Sequence, residues 1–495
     1  MSRIIIQNGN MCELDLPLKF AQKLYNEFAI RHPNAFYLRT RQRGMQNWDG
    51  KIHYITKTGQ FKIGLLPKVY DMCIEMGIKP KVVDMRQPLP KVSKVVTNIG
   101  KYKLRPEQEK AVKAVINNKI GNTPFHIGVL DYTVNAGKTL IMSSLYLSYK
   151  KQLKTLLITN DSDWLNQARE EFKQYLPGED ITFVQGKVLN WSNFTIGMVQ
   201  SISRNMRFYQ KELSQIDMVL VDEADQGGSK QYQNVITRLF NTRIRIGLSG
   251  TIYMSKLAKD KVKNMNLECF FGKVIAEFKL KDSIKKGYST KTVVKMVPGK
   301  PWYGNWESDC ISYKEIYDDS ITNCYTAWLM AYNRLLWNLN QGRYPALVVC
   351  KHIAHCENLY KFFKKKLGDA YNIAYVHVNT SSKLRQQIMK DFREGKIDIL
   401  VSTTIIARGK NFPKLRYLLN AASMDSQEKS IQFLGRLVRT DKSKKKVYLD
   451  DLHYPGNYLD RHGKHRKQYY QRQELKVILL DKLWKKHPNH SLIKS

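Results

Sequence analysis

The ten residues 131–140, DYTVNAGKTL, limit what this chain can fold into more than any other stretch does. An apolar run at 125–130 leads into them and a helix-prone run at 140–149 leads out, so a strand enters a tight loop and a helix leaves it. Such a loop aims backbone N–H groups and a helix N-terminus at an anion. Lys138 can then reach outer phosphates and the Thr139 hydroxyl can ligate magnesium, a spacing that suits a nucleoside triphosphate. Tyr132 stands where the first glycine of G-x-x-x-x-G-K-[ST] is usual, and Asn135 occupies an inner loop position. Taken alone, Gly137-Lys138-Thr139 also fits a chance surface GKT, so the remaining motifs have to decide.

A chain of 495 residues with 43% apolar residues has room for two or three domains with full cores. Its 82 Lys and Arg against 43 Asp and Glu leave a formal charge of +39, far more than solubility needs, so a large polyanion is the natural partner. The seven cysteines form no C-x-x-C pair, which points to reduced thiols rather than a disulfide framework or zinc ribbon. The N-terminus lacks a signal-peptide pattern and no apolar run approaches the ~20 residues that span a bilayer, so a soluble, cytoplasmic protein with no membrane partner is expected.

Residues 1–98 read as a small α+β N-terminal accessory domain. Within it RTRQRGMQNWDGK places Arg39, Arg41, Arg43 and Lys51 around Trp48, a mixture that suits phosphate contact with stacking on bases. A basic turn whose Trp48 caps a core has the same composition. The Pro, Lys and Val mixture at 80–100 reads as a linker. A nucleotide-binding lobe follows over 99–288, with Pro106 opening a helix. Strand and helix signals then alternate, which implies a parallel sheet covered by helices. An apolar strand at 218–221 ends in Asp222-Glu223-Ala224-Asp225, placing carboxylates at the edge where such sheets bind ligands. Asp222 would hold magnesium and Glu223 would orient and activate an attacking water. The lysine-rich stretch 252–290 reads as a bridge between lobes.

A second α/β unit over 289–450 repeats the architecture without a phosphate loop. Its aromatic loop with Trp302, Tyr303 and Trp306 suits either stacking on bases or stapling of the loop, and His352, His355 and Cys356 suit packing better than metal. The stretch SIQFLGRLVRT places Gln432, Arg436 and Arg439 on one helical face, either beside an anion or in solvent. Residues 451–495 read as a basic C-terminal extension; from 442 onward the chain interleaves Lys and Arg with Tyr448, Tyr454, Tyr458, Tyr469, Tyr470 and Trp484.

In this order the stretches resemble the motifs of superfamily 2 helicases and translocases over residues 103–447. The resemblance implies an α/β fold of two tandem RecA-like parallel-sheet lobes that use ATP and Mg2+. Arg105 and Gln108 would lie near the adenine, and Asn135, Ala136, Gly137, Lys138 and Thr139 would form the phosphate loop. Ser249, Gly250 and Thr251 would couple hydrolysis to movement, and Gly409 would belong to a second-lobe motif. Gln432, Gly435, Arg436 and Arg439 match Q-x-x-G-R-x-x-R, whose arginines would stabilise transition-state charge.

DEAD at 222–225 suggests an RNA helicase of the DEAD-box type, yet Gln432 stands where that group has a histidine–arginine pair. The segment ITNDSDWLNQ at 158–167 looks like the form of DNA-directed relatives. RTRQRGMQNWDGKIHYI at 39–55, chiefly through Trp48-Asp49-Gly50-Lys51, and KHIAH at 351–355 are similar to segments of phage branch-migration helicases of the UvsW type. That family implies branched or forked DNA with a single-stranded tracking strand, in branch migration, fork regression, annealing or unwinding. It also implies single-strand-binding or recombination proteins as partners and, for a viral chain, the host cytoplasm. Tyr132, Val134, Asn135, Asn411 and Thr159-Asn160 depart from its pattern. Two other readings stay open beside RNA unwinding. One is a nuclease-coupled restriction motor using Asp460, Glu474 and Lys476; the other is an inactive clamp. Because 103–447 holds every nucleotide motif, a chain lacking 1–98 is expected to keep ATPase activity stimulated by single strands.

Overall fold

The computed structural model describes residues 2–480 except 42–43, 150–151, 161, 187, 253–259, 300–311, 408–411 and 442. Arg43, Gly409, Asn411, the loop with Trp302, Tyr303 and Trp306, and Trp484 therefore lie outside the described residues. The chain forms two compact units, Met1–Phe278 and Lys279–Ser495.

The first unit opens with strands β1 (Arg3–Ile6), β2 (Met11–Asp15), β3 (Gln60–Lys62) and β4 (Lys81–Asp84), joined in the order β3, β2, β1, β4. Helices α1 (Leu18–Glu27), α2 (Ala35–Arg41) and α3 (Leu66–Glu75) fall between them in the chain. Strand β4 lies in the stretch read as a linker. Val82 is buried in the core and the strand pairs in parallel with β1, so the linker proper begins after Asp84. Next come α4 (Pro106–Ile116), β5 (His126–Tyr132), α5 (Lys138–Ser148), β6 (Thr155–Thr159), β7 (Ile181–Gln185), β8 (Val188–Leu189), β9 (Phe194–Met198), β10 (Met218–Asp222), β11 (Ile244–Ser249) and β12 (Val274–Phe278). They form an eight-stranded sheet in the order β8, β7, β9, β6, β10, β11, β5, β12, parallel except for the short β8. Strands β5, β6, β10 and β11 are buried at every position, as expected of a parallel sheet covered on both faces. Strand β12 closes this sheet beside β5, so most of the stretch read as a bridge belongs to the first lobe.

One continuous core runs from Ile4, Ile6, Phe61, Leu65 and Leu66 to Phe125, Ile127, Phe270 and Phe271, so residues 1–98 are not separate from the nucleotide lobe. Arg245 of β11 is fully buried and reinforces the join, donating to the Gly9 carbonyl at 2.7 Å, Asn10 Oδ1 at 2.8 Å and the Phe270 carbonyl at 3.3 Å. A Cβ on Gly9 would stand 2.6 Å from the Leu239 carbonyl, which fixes that position as glycine. Each large apolar side chain stripped of cover costs about 1.5–3 kcal/mol, and a domain holds only about 5–15 kcal/mol in all. Deleting 1–98 should therefore abolish the cooperative unfolding transition and soluble yield rather than leave a working motor. Calorimetry of the truncated chain checks this, and a sharp transition would contradict it.

The second unit contains β13 (Lys291–Pro298), α6 (Tyr325–Asn340), β14 (Ala346–Cys350), β15 (Ile373–Val376), β16 (Ile399–Thr403), β17 (Tyr417–Asn420), α7 (Gln427–Leu437), β18 (Lys446–His453), α8 (Asn457–Arg472) and β19 (Val477–Leu479). Its seven strands are all parallel, in the order β15, β16, β14, β17, β18, β13, β19. With the first sheet this gives the two tandem RecA-like lobes that the motif order implied.

Residues 451–480 complete this lobe instead of trailing from it. Arg466 of α8 is fully buried against Asp451, donating through Nε at 2.9 Å, and also donates to the Met424 and Leu452 carbonyls. Tyr470 and Asn420 donate to the other Asp451 oxygen at 2.7 and 2.8 Å. Tyr454, Tyr469 and Tyr470 are buried, so they are core groups and cannot stack on a ligand at the surface. Asp450, pointing to the opposite face of β18, accepts from Arg334, Asn338 and Tyr417.

Candidate active site

The phosphate loop lies between β5 and α5 and turns on two residues in the left-handed region, Asn135 (φ 64°) and Gly137 (φ 71°). The positive φ favours glycine at 137, and a Cβ there would also push the Gln108 amide, whose Nε2 it would meet at 2.3 Å, off the loop carbonyl that it holds. The first turn of α5 then leaves amides without intrahelical acceptors, which suits them to hold an anion.

Arg105 and Gln108 brace this loop. Arg105 caps α4 and donates to the Asn135 carbonyl at 3.0 Å. Gln108 Oε1 accepts from the Arg105 amide while its Nε2 donates to the Ala136 carbonyl at 2.8 Å. Tyr132, the departure from glycine, is fully buried with its hydroxyl donating to the Glu107 carbonyl at 2.8 Å. It ties β5 to α4 and leaves the turn itself to Asn135 and Gly137.

Lys138 Nζ stands 3.6 Å from Asp222 Oδ1 at the end of β10. Burial pushes the Asp222 carboxyl above its ordinary value and the Lys138 charge pulls it back, so the two side chains depend on each other. Glu223 follows in a left-handed conformation (φ 52°) that breaks the strand and turns its side chain out of the sheet. Gln226 Nε2 donates to Glu223 Oε2 at 3.3 Å, and Asn160 Nδ2 donates to Gln226 Oε1, linking the carboxylate to the loop after β6. Ser249 donates to Asp225 Oδ1 at 2.8 Å and lies 3.0 Å from the Thr251 hydroxyl. Gly250 abuts the phosphate loop, where an added Cβ would lie 3.1 Å from Thr133 Cα. The acidic motif, Ser249–Thr251 and the phosphate loop thus form one contact chain. Gln226 is a link that sequence reasoning did not single out, and Asp225 and Asn160, seen there only as part of the acidic motif and as a departure from the family pattern, join it here. Residues in this cradle fit a magnesium-bound triphosphate: the Thr133 hydroxyl and both Asn135 amide atoms are buried without a hydrogen-bond partner, and Thr139 follows Lys138.

In the second unit Gln432 and Arg436 lie on α7, but the helix ends at Leu437 and Val438 caps it. Arg439 is therefore beyond the helix, and the helical spacing that joined it to the other two does not extend to it. Its carbonyl accepts from Thr290 at the start of β13. His355 and Cys356 are buried, with His355 Nδ1 3.5 Å from the Tyr317 hydroxyl. Asp460 lies in the first turn of the 16-residue helix α8 and Glu474 just past its end, about 20 Å apart at ~1.5 Å per residue, too far to share a metal. Asp460 is held by His453 and Lys464, and Glu474 by Lys281.

In the N-terminal region the Trp48 indole donates to the Lys51 carbonyl at 2.9 Å and meets His32 edge-on, so the ring holds its own turn. Arg39 and Arg41 lie in the last turn of α2. That helix instead exposes Phe36 (79%) and Tyr37 (55%), two aromatics that the sequence reading passed over.

Residues 101–254 match a family model described as Type III restriction enzyme, res subunit, and residues 329–441 match one described as Helicase conserved C-terminal domain. The ATP-dependent DNA helicase uvsW of Enterobacteria phage T4 is 21% identical over 88% of this chain and 90% of its own length. Putative helicase 22 of Sulfolobus islandicus filamentous virus is 22% identical over 71% of this chain and 64% of its own length, so the chain spans less than two thirds of that relative. Among solved structures, the ATP-dependent Type ISP restriction-modification enzyme LlaBIII bound to DNA shares the fold, with a TM-score of 0.58 at 13% identity. That match covers 83% of this chain and 34% of the other. Among the described residues no helix is long and apolar enough to cross a membrane.

Proposed function

Because the chain is an ATP-hydrolysing superfamily 2 helicase resembling the UvsW type, we propose that it is a DNA translocase that remodels branched DNA. The observation that carries this reading is the extent of the match to the phage DNA helicase, which runs over 88% of the chain, more than the nucleotide motifs between Lys103 and Val447 span. The charge of +39 supports it, since a strand gripped through its phosphates is held with little sequence preference.

Lys138 binds the outer phosphates, while Arg105 and Gln108 hold the loop and border the base. Magnesium held by Thr139 and Asp222 would neutralise developing charge on the phosphates. Glu223 orients the attacking water and takes its proton, and Ser249–Thr251 passes the change at Asp225 to the rest of the first unit. Arg436 or Arg439 supplies positive charge to the transition state. Substituting the true finger with alanine should lower kcat by about 10³ to 10⁵ with a much smaller change in nucleotide affinity. Steady-state ATPase kinetics check this, and loss of ATP binding alone in both variants removes the finger role.

The deciding experiment compares ATPase stimulation by single-stranded DNA, forked DNA, four-way junctions and RNA. Junctions and forks should stimulate most and drive branch migration; equal or better stimulation by RNA would replace this reading with RNA unwinding. Trp48→Ala should lower thermal stability more than junction affinity, because the indole is bonded within its own turn.

A further inference from the structure

The second unit concentrates positive charge on the α6 face of its sheet, on residues that belong to none of the nucleotide motifs. Around the half-exposed Trp337 ring, Lys295, Arg334 and Arg343 place their cationic groups at 4.8, 5.0 and 4.7 Å from its centre. Arg343 also lies 3.6 Å over the Tyr448 ring, which Lys446 approaches at 5.6 Å. Lys291 and Lys446 are both exposed and sit side by side in register on β13 and β18, like charges placed directly opposite each other. Lys291, Lys295, Lys446 and Tyr448 share one face by the alternation of the strands. Asp450, the carboxylate that lies in register with Lys295, is already committed to Arg334.

An arrangement needed only for packing would put neutral side chains here, since crowded like charges destabilise the folded chain. Burial lowers the Lys295 ammonium, and Arg334, Arg343 and Lys446 lower it further against the pull of Asp450. The excess of cations is relieved when an anion joins them. Lys291 and Lys295 are four residues apart on a strand, about 13 Å, far enough to meet separate phosphates of one backbone. The Trp337 ring is already engaged by cations, so the patch reads backbone rather than stacking on unpaired bases.

We propose that this face of the second unit, centred on Lys291, Lys295, Arg343 and Lys446, is a binding surface for the phosphate backbone of duplex DNA, separate from the nucleotide motifs. It would hold one arm of a branched substrate, and in that respect it rests on the reading of the chain as a DNA motor.

The test uses the full chain with Lys291→Gln, Arg343→Gln and Lys446→Gln combined. Affinity for a short blunt fluorescent duplex is measured by anisotropy across a salt series, beside a single strand of the same length. The log–log salt slope for duplex should fall by about 0.9 per lost contact, roughly 2 to 3 in all, with little change on the single strand. DNA-free ATPase should be unchanged, and thermal stability should fall slightly, because Arg343 gives up its place over Tyr448 and Trp337 while removal of the facing lysines offsets part of that loss. The charge-conserving variant Lys291→Arg with Lys446→Arg should keep the full slope. An unaltered duplex slope, or an equal loss on duplex and single strand, overturns the proposal. Failure of the motor reading is distinguishable, because it shows in the unaltered protein as ATPase activity that DNA does not stimulate.

Discussion

Lys138→Ala and Glu223→Gln should each cut ATP turnover by at least 10² to 10³, the scale on which removal of a single transition-state contact acts, while DNA binding persists. The two variants fail for different reasons. Lys138→Ala removes phosphate charge and also leaves Asp222 buried without the ammonium 3.6 Å away, so ATP affinity should fall with kcat. Glu223→Gln keeps the shape of the side chain and leaves the phosphate loop untouched, so ATP should bind and remain unhydrolysed. Turnover with a radiolabelled nucleotide, filter binding of ATP and anisotropy on labelled DNA separate the three quantities. Near-normal turnover in either variant would sink the assignment of the site.

Arg466→Met should destabilise the second unit by about 3–5 kcal/mol, because a fully buried Asp451 loses its counter-charge. For a lobe of this size that corresponds to a fall in Tm of about 6–20 °C. Tyr470 and Asn420 still donate to the stranded carboxylate, which favours the lower end. Adding Asp451→Asn should recover part of the loss, since removing both charges together costs less than removing one. A second-unit transition that moves by less than a degree in the single variant would show that the pair contributes nothing.

The two sheets and the nucleotide site were legible in the sequence because each rests on local pattern. Buried parallel strands are short apolar runs, and the phosphate loop and acidic motif lie directly at their ends. What escaped was set by contacts distant in sequence. Arg245 and Arg466 count as surface charge in a composition, yet they are buried on partners such as Gly9 and Asp451, and Arg334 is committed to the buried Asp450. For the same reason α8, rich in Lys, Arg and His, read as a tail when its Tyr and Arg side chains fill a core. The strand β4 was hidden among prolines and lysines because two valines and a parallel partner some 75 residues away are all that define it. Arg439 looked helical because periodicity carries no mark of where a helix stops. Tyr132 departs from the glycine usual in a phosphate loop, and its role as a tether to the neighbouring helix rests on Glu107, 25 residues earlier in the chain.

Among the described residues of the first unit, the shared core stitched at Arg245 packs the N-terminal sheet against the ATP-binding sheet. A DNA arm resting on the exposed aromatics of α2 would be carried through the same displacement as the phosphate loop, with no slack lost between them. The gearing is then one to one. If the chain migrates junctions as proposed, each turnover should advance one by the full stride of the motor, and pauses at the junction should coincide with pauses in hydrolysis when single molecules are watched.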